Sequence, residues 1–231
     1  MANIAIFTNP GLYYIFKWLH FFFGVMWIGY LYYFNFAQGG FMAATDAATK
    51  SQVQQKLLPL TMYWFRWGAM WTLVTGLIML GLARSVGFSM HGDWGLKIMT
   101  GALFGIIMWA NVWFVIWPKQ KQVIQSALQV AGGGTAIPGL AEMAASAALA
   151  SRTNTLFSIP MLFFMGAASH LPVQMDLSKV PMFFLALLVV VGALEFNGLK
   201  GKTGPMTTVK GVITCGFALT AVIYAMMEII L

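Results

Sequence analysis

The sequence predicts an all-α polytopic membrane protein, a six-helix transmembrane bundle forming one domain over residues 1–231. Three observations carry that prediction. The chain is 60% hydrophobic and only 8% charged, with mean hydropathy +0.79, a balance far from that of a soluble domain. Its apolar residues fall in long runs, and crossing a hydrocarbon core as helix takes about 20 such residues. The basic residues gather in the connections between those runs.

Six runs reach spanning length: residues 12–36, 58–82, 97–117, 155–171, 180–197 and 210–231. The first has no basic stretch before it and no small-residue cleavage site after it, so it reads as a retained helix and not as a signal peptide. Pro59 and Pro181 stand where a first helical turn tolerates proline. On the third run Gly101 and Gly105 form a GxxxG pair that allows close helix packing. Pro160 falls inside the fourth, where it removes a backbone donor and frees a carbonyl.

The longest connection, 118–154, mixes polar and apolar residues at helical spacing over Lys119–Val130. It breaks at Gly132-Gly133-Gly134 and resumes with the Ala-rich Leu140–Ser151. This reads as a cytoplasmic helical hairpin lying against the membrane or offering a docking surface, with an ordinary inter-helix connection as the alternative. So much of the chain is used in spanning that no soluble catalytic domain fits. The single cysteine, Cys215, lies inside the sixth run, which excludes disulfides, thiolate zinc clusters and a covalent CxxCH haem site.

Charge placement sets the expected orientation. Lys17, Arg84, Lys97 and Lys179 lie on the side of the termini. Lys50, Lys56, Lys119, Lys121, Arg152, Lys200, Lys202 and Lys210 lie on the other, and Arg66 is within a span. Eight against four places the second face in the cytoplasm and both termini outside. The net charge of +7 then fits anionic lipid headgroups of the bilayer, not nucleic acid.

Three histidines stand out because ionisable groups at membrane depth are kept mainly for binding or conduction. All three, His20, His91 and His170, fall on the outer side in this topology. At 1.5 Å per residue, His20 is roughly 12 Å below the outer end of its span, and His170 roughly 8 Å short of the boundary of a 30 Å core. Each has a glycine one turn deeper, Gly24 and Gly166, which would leave room for the edge of a flat macrocycle; Phe23, Trp27 and Phe163 could line its faces. The readings open at this point are a non-covalent haem b with His20 and His170 as axial ligands, a copper or other metal site, and a structural pair bonded to backbone carbonyls. His91 sits in the turn-like Ser89–Trp94 and reads as a surface residue. In the opposite leaflet Arg66, Asn111 and Glu195 lie at similar depth, as an ion pair with a supporting amide or as part of a proton or substrate pathway.

Trp18-Leu19-His20 with Phe23–Gly29, Asn111-Val112-Trp113, Ile116–Gln120, and Arg152–Met161 running to Ser169-His170 together resemble the membrane (N-terminal) domain of bacterial membrane-bound urate oxidases, the urate hydroxylases. The resemblance implies a bacterial cytoplasmic-membrane protein related to urate oxidation, with an outward-facing cytochrome c as electron acceptor. No CxxCH occurs up to Leu231, so that cytochrome c is expected as a separate chain. The first-helix pattern is also loosely similar to membrane protoporphyrinogen oxidases. Two function classes follow: a haem-b electron-transfer module of oxidoreductase type, and a non-catalytic subunit of a larger membrane complex. A transporter fits less well, since there are no paired broken helices and no repeat.

Overall fold

A computed structural model of the chain describes residues 4–231. Six long helices build it: α1 (Asn9–Ala44), α2 (Ala47–Val86), α3 (Asp93–Ala131), α4 (Leu140–His170), α5 (Leu177–Lys200) and α6 (Val209–Ile230). No strand occurs among the described residues. The helix starts follow capping chemistry: Thr8, Asp46 and Thr208 each accept a backbone N–H three residues on, at 3.3, 3.0 and 3.0 Å.

Five of the six helices are long and apolar enough to cross a membrane by composition; α4 is the exception. Its position explains this. α4 is the centre of the bundle, packed on α3, α5, α6 and one end of α1. Thr153, Asn154, Thr155 and Ser158 are fully buried along it beside Phe157 and Phe164. A helix surrounded by other helices need not present an all-apolar surface to lipid, and its hydroxyls and amides find partners within the bundle.

The helices pair as α1 with α2 and α3 with α4, with α5 and α6 closing over α4. Small residues set the close approaches. A Cβ on Gly101 would lie 3.1 Å from Met165 Cγ, whereas one on Gly105 would make an ordinary 3.6 Å contact with Met161 Sδ. Thus only the first glycine of the GxxxG pair is required by packing. A Cβ on Gly198 would meet Thr153 Oγ1 at 2.6 Å, and one on Gly216 would meet Ile159 Cδ1 at 2.3 Å.

Three of the helices contain a π-helical stretch: Tyr33–Gln38 in α1, Val53–Leu57 in α2 and Asn111–Ile116 in α3. Two of the stretches turn an asparagine, Asn35 or Asn111, into the interior. The connection over 118–154 is not a separate element. Its first arm is the continuation of α3 and its second arm is the start of α4, joined by a turn with left-handed glycines at Gly133 and Gly139. The spans are therefore longer than the apolar runs, because helix continues beyond the apolar segment.

Candidate functional site

His20 occupies the α1–α2 interface. Its Nδ1 lies 2.9 Å from the Thr72 carbonyl and 3.2 Å from Thr75 Oγ1. A carbonyl only accepts, so Nδ1 carries the proton and Nε2 keeps its lone pair. Thr75 donates its own hydroxyl proton to the Trp71 carbonyl at 2.7 Å, which leaves its oxygen free to accept from the imidazole. Gly76 makes the arrangement possible: a Cβ there would lie 3.0 Å from His20 Cε1. The glycine that admits the ring is thus on α2. Thr72, Thr75 and Gly76 were missed from sequence, since only the register between α1 and α2 brings them to the ring.

His170 is the last residue of α4 and is exposed. The following residue is tied down: the buried Lys97 ammonium donates to the Leu171 carbonyl and pairs with Asp93, whose carboxylate also accepts the Val173 N–H at 3.2 Å. The Phe88 ring stacks on Trp94 with centroids 4.4 Å apart and lies tilted against Tyr13 at 5.6 Å, which marks one level across α1 and α3. His20 lies seven residues deeper than Tyr13, about 10 Å. His170, beside the Asp93–Lys97 pair, stays within about one turn of the Tyr13 level. α1 continues about three turns above His20, from Asn9, whereas α4 ends at His170.

The α1–α4 contact is confined to one end of these helices. α1 and α4 touch at the hairpin-facing end, where Asn35 Nδ2 donates to Ser151 Oγ at 2.8 Å and Tyr32 Oη bonds Ser158 Oγ at 2.9 Å. Beyond Ser158 the same stripe of α4 opens: Ser158 is fully buried, Leu162 is 49% exposed, and Gly166 and Ser169 are exposed. A Cβ at either Gly24 or Gly166 would meet nothing within 4 Å. Phe163, against Tyr224, lies on this side of α4. Phe23 instead stacks on Trp71 of α2, and Trp27 is core, 2% exposed, with a buried indole N–H that has no partner. His91 is exposed in its turn.

The polar set at the other end divides. Asn111 Nδ2 donates to Glu195 Oε2 at 3.0 Å and to Asn154 Oδ1 at 2.9 Å, and Asn154 Nδ2 donates to the Met108 carbonyl at 2.9 Å. Arg66 is not part of this chain of bonds. Its guanidinium lies 3.6 Å from the centre of the Trp117 ring and 5.9 Å from that of Trp113. An Arg66–Glu195 ion pair is therefore replaced by a cation–π contact and an amide-supported carboxylate: α2 directs Arg66 to the tryptophans of α3, and α5 reaches α3 on a different side. Asn154 was the missed member of this set.

A family model described as urate oxidase N-terminal matches residues 82–227. The chain belongs to the urate oxidase N-terminal family. No curated protein and no solved structure matches it. In this urate oxidase N-terminal domain the match takes in α4 with His170, the Asp93–Lys97 pair and the Asn111–Asn154–Glu195 chain. It leaves α1 and His20 outside.

Among the described residues no three His, Cys, Asp or Glu side chains gather where they could hold a metal ion. The residues present suit a different ligand set. An imidazole with Nδ1 engaged and Nε2 free is the form that binds a metal through Nε2 while its other nitrogen is oriented by a carbonyl. His20 in this form would hold the metal of a tetrapyrrole, which would supply redox chemistry when bound.

Proposed function

We propose that this urate oxidase N-terminal domain is a haem-b redox module of the bacterial cytoplasmic membrane, with both termini outside. It passes electrons, in urate oxidation, to a separate cytochrome c on the face that carries His170. The His20 imidazole carries the reading: α2 holds its Nδ1, which leaves Nε2 for a ligand, and Gly24 one turn deeper has free space beside it. Haem b, when bound, supplies a one-electron couple.

His20 would ligate through Nε2. The Thr72 carbonyl and Thr75 hydroxyl hold its tautomer and ring plane and raise its basicity. His170 is the candidate second ligand, and its exposure at the end of α4 also suits electron exit to an outside partner. The protein thereby orients and tunes the cofactor. The Asn111–Asn154–Glu195 chain supports the opposite leaflet.

The test is to reduce the purified protein, mix it with oxidised soluble cytochrome c, and follow electron transfer optically. Transfer that is abolished by His20→Ala and coupled to added urate is the expected result. Absence of transfer, together with stable co-purification in a larger assembly, would favour an accessory-subunit role instead.

A further inference from the structure

Arg152 sits in a position that the redox reading does not use. A Cβ on Gly216 would meet Ile159, so these two residues fix the register between α4 and α6. Both helices run from the hairpin end towards the His170 end. A seven-residue step returns to nearly the same face of a helix, with a drift of about 20°. Stepping back seven residues on each helix brings Arg152 level with Val209, next to Lys210. Arg152 is also 18 residues before His170, about 27 Å along the axis, which puts it at the opposite edge of a hydrocarbon core of about 30 Å.

Its guanidinium has no counter-charge there. Arg152 Nη1 is buried without a hydrogen-bond partner, and the ion pairs among the described residues, Lys97–Asp93 and Lys179–Asp176, lie at the other end. The nearest charges along the sequence of the neighbouring loop are Lys200, Lys202 and Lys210, all exposed. Two turns above Arg152, on the same face of α4, begins an apolar groove of about 320 Å³ lined by Tyr32, Ile159, Leu162, Phe163, Phe217 and Thr220. A cationic end at the headgroup level leads into an apolar channel along the helices.

We infer that Arg152 and Lys210 bind the phosphate of an anionic phospholipid, with one acyl chain lying in the groove between α1, α4 and α6. Charge complementarity selects the headgroup, since each basic residue near the surface favours an anionic lipid and a zwitterionic one offers no net charge. The groove selects a lipid over a soluble phosphate, because the acyl chain fills space that inorganic phosphate leaves empty.

The experiment places the full chain in nanodiscs of phosphatidylcholine alone or of phosphatidylcholine with phosphatidylglycerol. It reads thermal stability and, by native mass spectrometry, the retained lipid. Wild type should retain phosphatidylglycerol and melt higher in the mixed discs. Arg152→Gln should retain about five-fold less and lose the difference in melting, while matching wild type in phosphatidylcholine alone. Arg152→Lys should restore part of the retention. If Arg152→Gln does not fold, Lys210→Gln carries the same expectation. Equal phosphatidylglycerol retention in the folded variants would overturn the inference, as would full stabilisation of wild type by inorganic phosphate in phosphatidylcholine discs.

Discussion

Replacing Lys97 by Met isolates the contribution of the one fully buried charge among the described residues. Lys97 is 0% exposed and its partner Asp93 is 29% exposed. Removing one member of a wholly buried pair costs about 3–5 kcal/mol, most of it from the charge left behind. Here the abandoned carboxylate is partly hydrated and keeps the Val173 N–H, so the expected loss is smaller, about 2–3 kcal/mol. The Leu171 carbonyl also loses its donor. The double variant Asp93→Asn/Lys97→Met removes the stranded charge and should lose only about 1 kcal/mol, the value of the hydrogen bonds that remain unmade. Equilibrium unfolding in mild detergent, followed by tryptophan fluorescence, measures both. A single variant within 0.5 kcal/mol of wild type, on the order of one exposed ion pair, would refute the reasoning. So would a double variant less stable than the single.

Gly76→Ala should displace the His20 ring, because the new Cβ would lie 3.0 Å from Cε1; a shifted haem spectrum with unchanged helicity by circular dichroism is the expected outcome. Asn154→Leu should destabilise the fold by about 1–3 kcal/mol per stranded group, since the Met108 carbonyl and an Asn111 donor lose their partner, whereas Glu195→Gln keeps an acceptor and should cost less in the same unfolding assay. Asp46 accepts hydrogen bonds from the Thr49 hydroxyl and N–H, which hold its carboxyl below the ordinary value. That cap is therefore complete above the ordinary carboxylate range and lost as pH falls through the lowered value; hydrogen exchange at the start of α2 should accelerate only on the acid side.

The bundle was legible in the sequence because lipid imposes a simple requirement: apolar runs of spanning length. α4 carried the weakest apolar signal for the reason that makes it central, since Asn154 and Ser158 bond to other helices and Thr153 is buried among them instead of facing lipid. Helix ends were less legible. The apolar run of α3 stops near Trp117, yet the helix continues to Ala131, and hydropathy does not record helix that leaves the membrane.

His20 stood out in the sequence because it is ionisable at depth. Its partners on α2 did not, since threonines and glycine are common in membrane helices and only the register between α1 and α2 brings them to the ring. Lys97 was read as one more loop-side charge. Its i, i+4 relation to Asp93 was visible, but its burial depends on the return of the chain at Leu171–Val173. Depth alone grouped Arg66 with Glu195; azimuth around each helix, which hydropathy does not encode, separates them.

The central claim is that His20 holds a haem through Nε2, and the visible spectrum of the purified protein tests it most directly. Wild type extracted in mild detergent should show a b-type haem signature that His20→Ala abolishes and that His91→Ala leaves unchanged. The His170→Ala spectrum should be sharply altered if that residue is the second ligand. A well-folded wild-type protein that binds no haem, even after reconstitution with haem, would contradict the account.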